Sequence, residues 1–499
     1  MLIFIENTPR AYAWGSRDAL PELLGQTPTG EPQAELWLGD HPSAPASVAK
    51  ASPTPQTLIE LIESDPDLYG VNGKPLLFLL KVLAIGAPLS LQVHPDKQQA
   101  AQGYAREQAA GIATDARERN YVDANHKPEL LVALSEVTAL CGFRPLAEAQ
   151  ADLRALAAVA DAGPGRDALL HAAALCEVGV EGERLAGSES GAGERTTDGD
   201  ADGHRVESAS AAGRARRAVL EWALGGGTDA AQAVRALAGV VEGCQAGVAG
   251  GQSTGEGGQE PVASGHETVA SGHETAASIA PDRLRALERL VAAHPADPGV
   301  LISLLLHVVT LQPGEAVYLA ARQLHAYLGG IAVEVMAASD NVLRAGLTEK
   351  HVDPAELMRI VSTEAVADPR FDAHHLQAGL VAYAPEVPDF CLLRARLQPS
   401  DDFDDGDGRG SPAAIPRLTD EFAETVRVEA PCPLVLIVTS GRVRVERVRG
   451  EFDEVATARR GQSLYVSAGE AIELSGRGEV FLATVGQHWP RVSQLSSGT

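Results

Sequence analysis

Apolar and polar positions along this chain alternate with more than one period. Up to about residue 145, short apolar stretches are interrupted by Gly, Pro and polar positions, the pattern of short strands joined by tight turns. The run 75–85 is apolar except for Lys81 and reads as a buried strand, as does 130–134. Residues 54–70, with Leu58, Leu61 and Ile62 on one side, read as one amphipathic helix, and 98–120 as a helix and loop. From 146 the period becomes helical, as in Leu153-Arg154-Ala155-Leu156, and helices recur near 213–224, 229–242 and 282–293. Strand character returns over 301–310, 316–320 and 331–336, with a hairpin at Gln312-Pro313-Gly314-Glu315 and a short helix at 354–363. Beyond 424, short strands at 434–438, 442–448, 463–466, 471–474 and 480–485 are separated by turns at Ser440-Gly441, Ala468-Gly469 and Ser475-Gly476. That final block reads as an all-β barrel or jelly roll.

The expected architecture is mainly β with an α-helical insertion. Residues 1–145 join 300–400 in one β unit, 146–299 form a helical subdomain, and 413–499 form a second β unit. Within the helical part, 185–210 and 245–278 are rich in Gly, Ser, Thr and acids, and the second carries Val-Ala-Ser-Gly-His-Glu-Thr twice, at 262–268 and 269–275. Such composition buries too little apolar surface to order itself, so both tracts are expected to be disordered. The acidic stretch 400–412 lacks the closing glutamate of a calcium loop and reads as a linker.

Bulk properties narrow the function. The 499 residues are 45% hydrophobic, and no apolar run approaches the roughly 20 residues of a membrane span. The first residues lack a basic stretch and a small-residue cleavage site, so a cytoplasmic protein is expected, with no membrane partner. A formal net charge of -26 argues against nucleic acid as the main partner, since phosphate backbones need basic surface. It leaves room for a small anionic substrate held by a local basic cluster. Five cysteines without close pairing read as reduced thiols.

Candidate chemistry gathers in three stretches. In Leu91-Gln92-Val93-His94-Pro95-Asp96-Lys97, Gln92 and His94 are two apart and share one face of a strand. Asn125-His126-Lys127-Pro128-Glu129 places a carboxylate beside basic groups, and Gln323-Leu324-His325-Ala326-Tyr327 adds a histidine. Gln92, His94, Glu129 and His325 make a mixed N/O set that suits a catalytic zinc or another divalent ion, although spacing alone does not bring the stretches together. Lys81 either snorkels to water or points into the same cavity. Arg344 and Lys350, in the polar stretch 338–350, are phosphate-capable cations. Trp14 and Trp37 read as packing residues and His41 as a turn residue.

Taken together, Tyr12-Ala13-Trp14-Gly15-Ser16, Ala34-Glu35-Leu36-Trp37, Leu89-Ser90-Leu91-Gln92-Val93-His94-Pro95-Asp96, Asn125-His126-Lys127-Pro128-Glu129 and 338–350 resemble class I mannose-6-phosphate isomerase, a zinc enzyme of the cupin fold. They occur in family order, and the carboxyl-terminal barrel agrees in architecture. The resemblance implies cupin barrels and one zinc ion per chain, held at the positions of Gln92, His94, Glu129 and His325. It places Ser90, Lys127, Arg344 and Lys350 around a sugar phosphate. The reaction it implies interconverts mannose 6-phosphate and fructose 6-phosphate through an enediol, which needs a base. Lys81 and Lys127 are the candidates, each requiring a proton affinity below the reference of about 10.4. His126 and Asp340 are candidates for ring opening, and Arg344 for stabilising developing charge. An iron cupin oxygenase and a non-catalytic sugar-phosphate sensor remain the alternatives, because the fold hosts many chemistries. The oligomeric expectation is a monomer.

Overall fold

The structure, a computed structural model, describes residues 1–49, 55–189, 210–250, 279–398, 421–449 and 452–486. The tandem repeat and the acidic stretch 400–412 lie outside these residues. Helices Pro164–Glu189 and Thr228–Gly250 extend past 185 and 245, where the tracts expected to be disordered begin.

Two antiparallel sheets of ten strands each organise the chain. The first sheet turns on the long strand His325–Ala337. Its opening residues pair with Leu91–Val93 and Val137–Phe143, and its later residues pair with Phe78–Ile85 and Glu129–Ala133. The change of partners coincides with a register shift between Tyr327 and Gly329. Gly330 follows at φ 115°, where an added Cβ would collide with the Glu136 carbonyl, so glycine is required at this corner.

Strand alternation decides what faces inward. Leu83, Leu131 and Ala332 meet in one buried cluster, and Leu79 and Met336 in another with Trp37. Lys81, Glu129 and Glu334 occupy the same inner face, spaced two residues from these. The alternate residues Leu80, Val82, Leu130, Val132, Val333 and Val335 pack outward in one cluster with Ile437, Tyr465 and Phe481 of the second sheet and with Phe390 just ahead of its strand Cys391–Leu397. With both faces covered, the run 75–85 reads as continuous apolar sequence rather than as alternation.

Four expectations need correction. The second sheet does not begin at 413. It includes Leu2–Glu6, Ser47–Val48, His374–Gln377, Leu380–Tyr383 and Cys391–Leu397, so both ends of the expected first β unit hydrogen-bond into it. Ser440-Gly441 and Ser475-Gly476 are not turns but bends inside the continuous strands Leu434–Arg449 and Ile472–Thr484, with Gly441 and Gly476 at φ 73° and 108°. The single helix over 54–70 is two, Leu58–Ser64 and Pro66–Tyr69. Pro66 supplies no N–H and holds Asp65 out of the helical region, where Asp65 caps the second helix. The strand over 301–310 starts only at Leu306, because Asp297 caps Gly299 and a helical turn, Gly299–Ile302, precedes it.

The helical segment leaves and rejoins the first sheet through adjacent antiparallel strands, Val137–Phe143 and Leu306–Leu311. Three buried arginines seal this neck. Arg144 donates to the Leu304 carbonyl at 2.9 Å, Arg283 to Ser303 and Leu306 at 2.9 and 2.7 Å, and Arg216 to Arg144 and Thr363 at 3.0 and 3.1 Å. Cys141, Cys176, Cys391 and Cys432 are buried free thiols. Among the described residues, no helix is long and apolar enough to cross a membrane.

Candidate metal centre

Antiparallel pairing sets Gln92 opposite His325 on one side and Arg344 on the other. His94 follows the end of its strand, with its backbone carbonyl held by Arg322 N–H at 2.7 Å. Glu129 opens its strand opposite Met336. The glycine corner carries His325 across to face it. His94, Glu129 and His325 are 1%, 2% and 0% exposed, and one donor atom from each lies within 4.8 Å of the others. The amide nitrogen of Gln92 is 3.2 Å from His325 Nε2, and a half-turn of that amide presents its oxygen instead.

The hydrogen bonds fix which atoms face inward. His94 Nδ1 is spent on the Asn341 carbonyl at 2.7 Å and His325 Nδ1 on the Gln323 carbonyl at 3.0 Å. That leaves each Nε2 lone pair beside a Glu129 oxygen, both at 3.3 Å. His94 Nε2 and Glu129 Oε2 have no hydrogen-bond partner. Buried lone pairs facing one another repel unless a cation stands between them, so the donor set fits a divalent metal. Burial pushes His94 down to about 4, keeping the imidazole neutral as a ligand must be. Burial alone would raise the Glu129 carboxyl. The Lys127 ammonium overrides it and holds Glu129 well below the usual carboxylate range.

Lys127 and Lys81 differ in what they touch. Lys127 Nζ sits 3.0 Å from Glu129 Oε1. Lys81 Nζ lies 3.7 Å from Glu334 Oε2 and 4.7 Å from the centroid of the Trp37 ring. Burial works against the Lys81 ammonium, but the charges of Glu35, Glu334, Glu129 and Asp340 raise its proton affinity overall. Glu334 also accepts from the Tyr327 hydroxyl at 3.1 Å, and Glu35 from the Trp37 indole. Burial, aided by the Glu129 charge and opposed by Lys81, raises the Glu334 carboxyl to about 7.

Glu334 therefore carries a pH signature. Between roughly pH 4.5 and 7 an unfolded chain has lost this proton while the native one keeps it, so native stability falls as pH rises through that window. Glu334→Gln is expected to flatten this part of the stability–pH curve of metal-free protein, read as thermal unfolding at pH 5 and 7. An unchanged slope would remove Glu334 as its source.

The remaining predicted residues divide. Asp340 reaches the mouth of the site, with Oδ1 3.3 Å from His41 Nε2 and Oδ2 3.5 Å from Ser43 Oγ. His41, expected to be a turn residue, does open a turn, its carbonyl accepting from Ala44 N–H at 3.0 Å, and its ring is buried edge-on to Trp37 with centroids 4.9 Å apart. A pocket of about 390 Å³, lined in part by Arg10, Tyr12 and Ser43, opens beside it. Arg344 is half-buried and Lys350 exposed, and neither makes an ion pair among the described residues. Burial lowers both, and the Arg344 charge lowers Lys350 further. Ser90 is half-buried just ahead of Leu91–Val93. His126 does not join the group. It lies between Asn125 and Lys127 and pairs with Asp389 at 2.9 Å.

Glu334, Glu35 and Tyr327 escaped the sequence reading. A usable signal existed for Glu334, which interrupts the apolar run 328–337 as Lys81 interrupts 75–85. Opposite charges buried in two such runs need each other.

Comparison with known proteins agrees with this geometry. The sequence profile of the phosphomannose isomerase type I catalytic domain matches residues 2–146. The mannose-6-phosphate isomerase of Escherichia coli (strain K12) is 36% identical over 365 residues, covering 72% of this chain and 74% of that protein. The Homo sapiens mannose-6-phosphate isomerase is 28% identical over 408 residues, covering 77% and 80%. A crystal structure of mannose 6-phosphate isomerase from Salmonella typhimurium, bound to fructose 6-phosphate and zinc, superposes with a TM-score of 0.70 at 26% identity, covering 97% of this chain and 99% of that one. With more than a third of positions shared with the bacterial relative across nearly three quarters of its length, the chain belongs to the type I mannose-6-phosphate isomerase family.

Proposed function

We propose that this chain interconverts D-mannose 6-phosphate and D-fructose 6-phosphate, with one zinc ion held by His94, Glu129, His325 and Gln92. The observation that carries the reading is the buried convergence of His94, Glu129 and His325, in which His94 Nε2 and Glu129 Oε2 are left without a hydrogen-bond partner. Zinc bound there supplies Lewis-acid polarisation of a sugar oxygen.

The chain's own residues divide the remaining work. Lys127 neutralises the ligand carboxylate. Arg344 and Lys350, with Ser90 nearby, receive the anionic end of the substrate, since two cations that make no ion pair among the described residues favour a phosphate. Lys81 and Glu334 pair inside the barrel, and Glu334 in its ionised form, beside the Lys81 ammonium, takes the proton from one of C1 and C2 and returns it to the other. The four carboxylates around Lys81 disfavour the free amine, so the base is Glu334 rather than Lys81. Asp340, oriented by His41 and Ser43 at the mouth, is placed to assist ring opening. His126, turned to Asp389, acts at most through the segment it anchors. Membership of an isomerase family weighs against the oxygenase and the sensor.

The test is a coupled assay with mannose 6-phosphate, before and after chelation and zinc add-back. Turnover lost on chelation and restored by zinc is the expected result. Full turnover from metal-free protein would overturn the metal reading, and no turnover from folded, zinc-loaded protein would overturn the isomerase reading.

A further inference from the structure

The hydrogen bond that orients His94 ends on the backbone carbonyl of Asn341, whose own side chain makes five hydrogen bonds. Asn341 is 0% exposed, and its amide is fully spent. Asn341 Oδ1 accepts from the N–H groups of Val122 and Asp123 at 2.8 and 3.2 Å. Its Nδ2 donates to the carbonyls of Asp123 and Asn125 at 2.9 and 2.8 Å, and to Asp123 Oδ1 at 3.2 Å. The Asp123 carboxylate accepts in turn from Ser339 Oγ at 3.0 and 3.1 Å, from Asp340 N–H at 2.8 Å and from Asn125 N–H at 2.8 Å. Ser339 Oγ also accepts from Asn341 N–H at 3.2 Å.

This knot joins two irregular segments that lead to different parts of the site. Residues 122–125 run into Lys127 and Glu129, and residues 338–341 run into Arg344. Neither segment has a strand ladder of its own to fix its backbone. The side-chain bonds replace that ladder, and they hold the 341 carbonyl at the point where it meets His94 Nδ1. An imidazole's second nitrogen fixes the tautomer and direction of its ligating nitrogen, and loss of such partners costs metal affinity.

We infer that Asn341 and Asp123 are positioning residues for the metal, locking the 341 carbonyl that aims His94. The inference rests on the ligand set proposed above, and it concerns residues that touch neither metal nor substrate.

Three variants test it, each prepared metal-free, shown folded by near-ultraviolet circular dichroism, and titrated with zinc against a chromogenic chelator. Asn341→Ala is expected to weaken zinc binding by ~10- to 100-fold, the range typical for partners of ligating histidines. Asp123→Asn, nearly isosteric, puts an amide N–H where one acceptor stood and is expected to weaken binding several-fold. Asn120→Ala removes a bond to Asp353 from the same connecting segment but outside the knot, and should leave affinity within about twofold. Cobalt in place of zinc adds a second readout, with its visible bands shifted in the first two variants and unchanged in the third. If Asn341→Ala fails to fold, Asp123→Asn decides. Wild-type affinity and cobalt spectrum in folded Asp123→Asn and Asn341→Ala would overturn the inference. Absence of zinc binding in the unaltered protein would instead sink the ligand assignment beneath it.

Discussion

His325→Ala loses zinc and turnover together while the barrel stays folded. His325 is fully buried at the head of the strand that bridges both halves of the first sheet. Removing its imidazole deletes one of two nitrogen donors and leaves Glu129 with only His94 and the Gln92 amide. The strand ladder through Ala337 is made by backbone atoms and does not depend on that side chain. Turnover should fall by at least ~10³-fold, because the polarisation of the sugar oxygen disappears with the ion. Metal analysis after dialysis and the coupled assay read both effects. A variant that retains one zinc per chain and full turnover removes His325 from the ligand set.

Arg344→Ala separates binding of metal from binding of substrate. The guanidinium belongs to the strand next to Gln92, yet makes no ion pair among the described residues. Zinc should remain stoichiometric, while kcat/KM falls by ~10²- to 10⁴-fold through the loss of a charge-assisted contact to an anionic group. Arg344→Lys should recover only part of this, since an ammonium cannot form the planar double contact. Unchanged kinetics in the alanine variant would falsify its role.

The candidate ligands were legible because each sits in a short motif with chemistry of its own. Gln92 and His94 declared themselves by their spacing, and Glu129 and His325 by their neighbours. Their convergence was not legible, because it depends on the glycine corner at Gly329-Gly330 and on pairings across more than two hundred residues of sequence. Glu334 looked like an ordinary strand residue until its register with Lys81 was seen. His126 stands apart for the opposite reason. Beside Lys127 it had the right chemistry, but its ring pairs with Asp389 rather than with the cluster. In the last third of the chain, Ser440-Gly441 carried the composition of a turn. A left-handed glycine can also bend a continuous strand around a barrel, and composition does not distinguish the two.

The sealed neck between Val137–Phe143 and Leu306–Leu311 bears on how this chain tolerates change in length. Because the two ends of the helical segment are already clamped side by side, residues added within it enlarge a loop whose closure is supplied by the ladder beneath. The entropic penalty of such growth rises only logarithmically, about 0.6 kcal/mol for each doubling. Added length within that segment is therefore expected to cost the site little. The same number of residues placed inside the strands Leu91–Val93 or Glu129–Ala133 would break the register that brings the candidate ligands together.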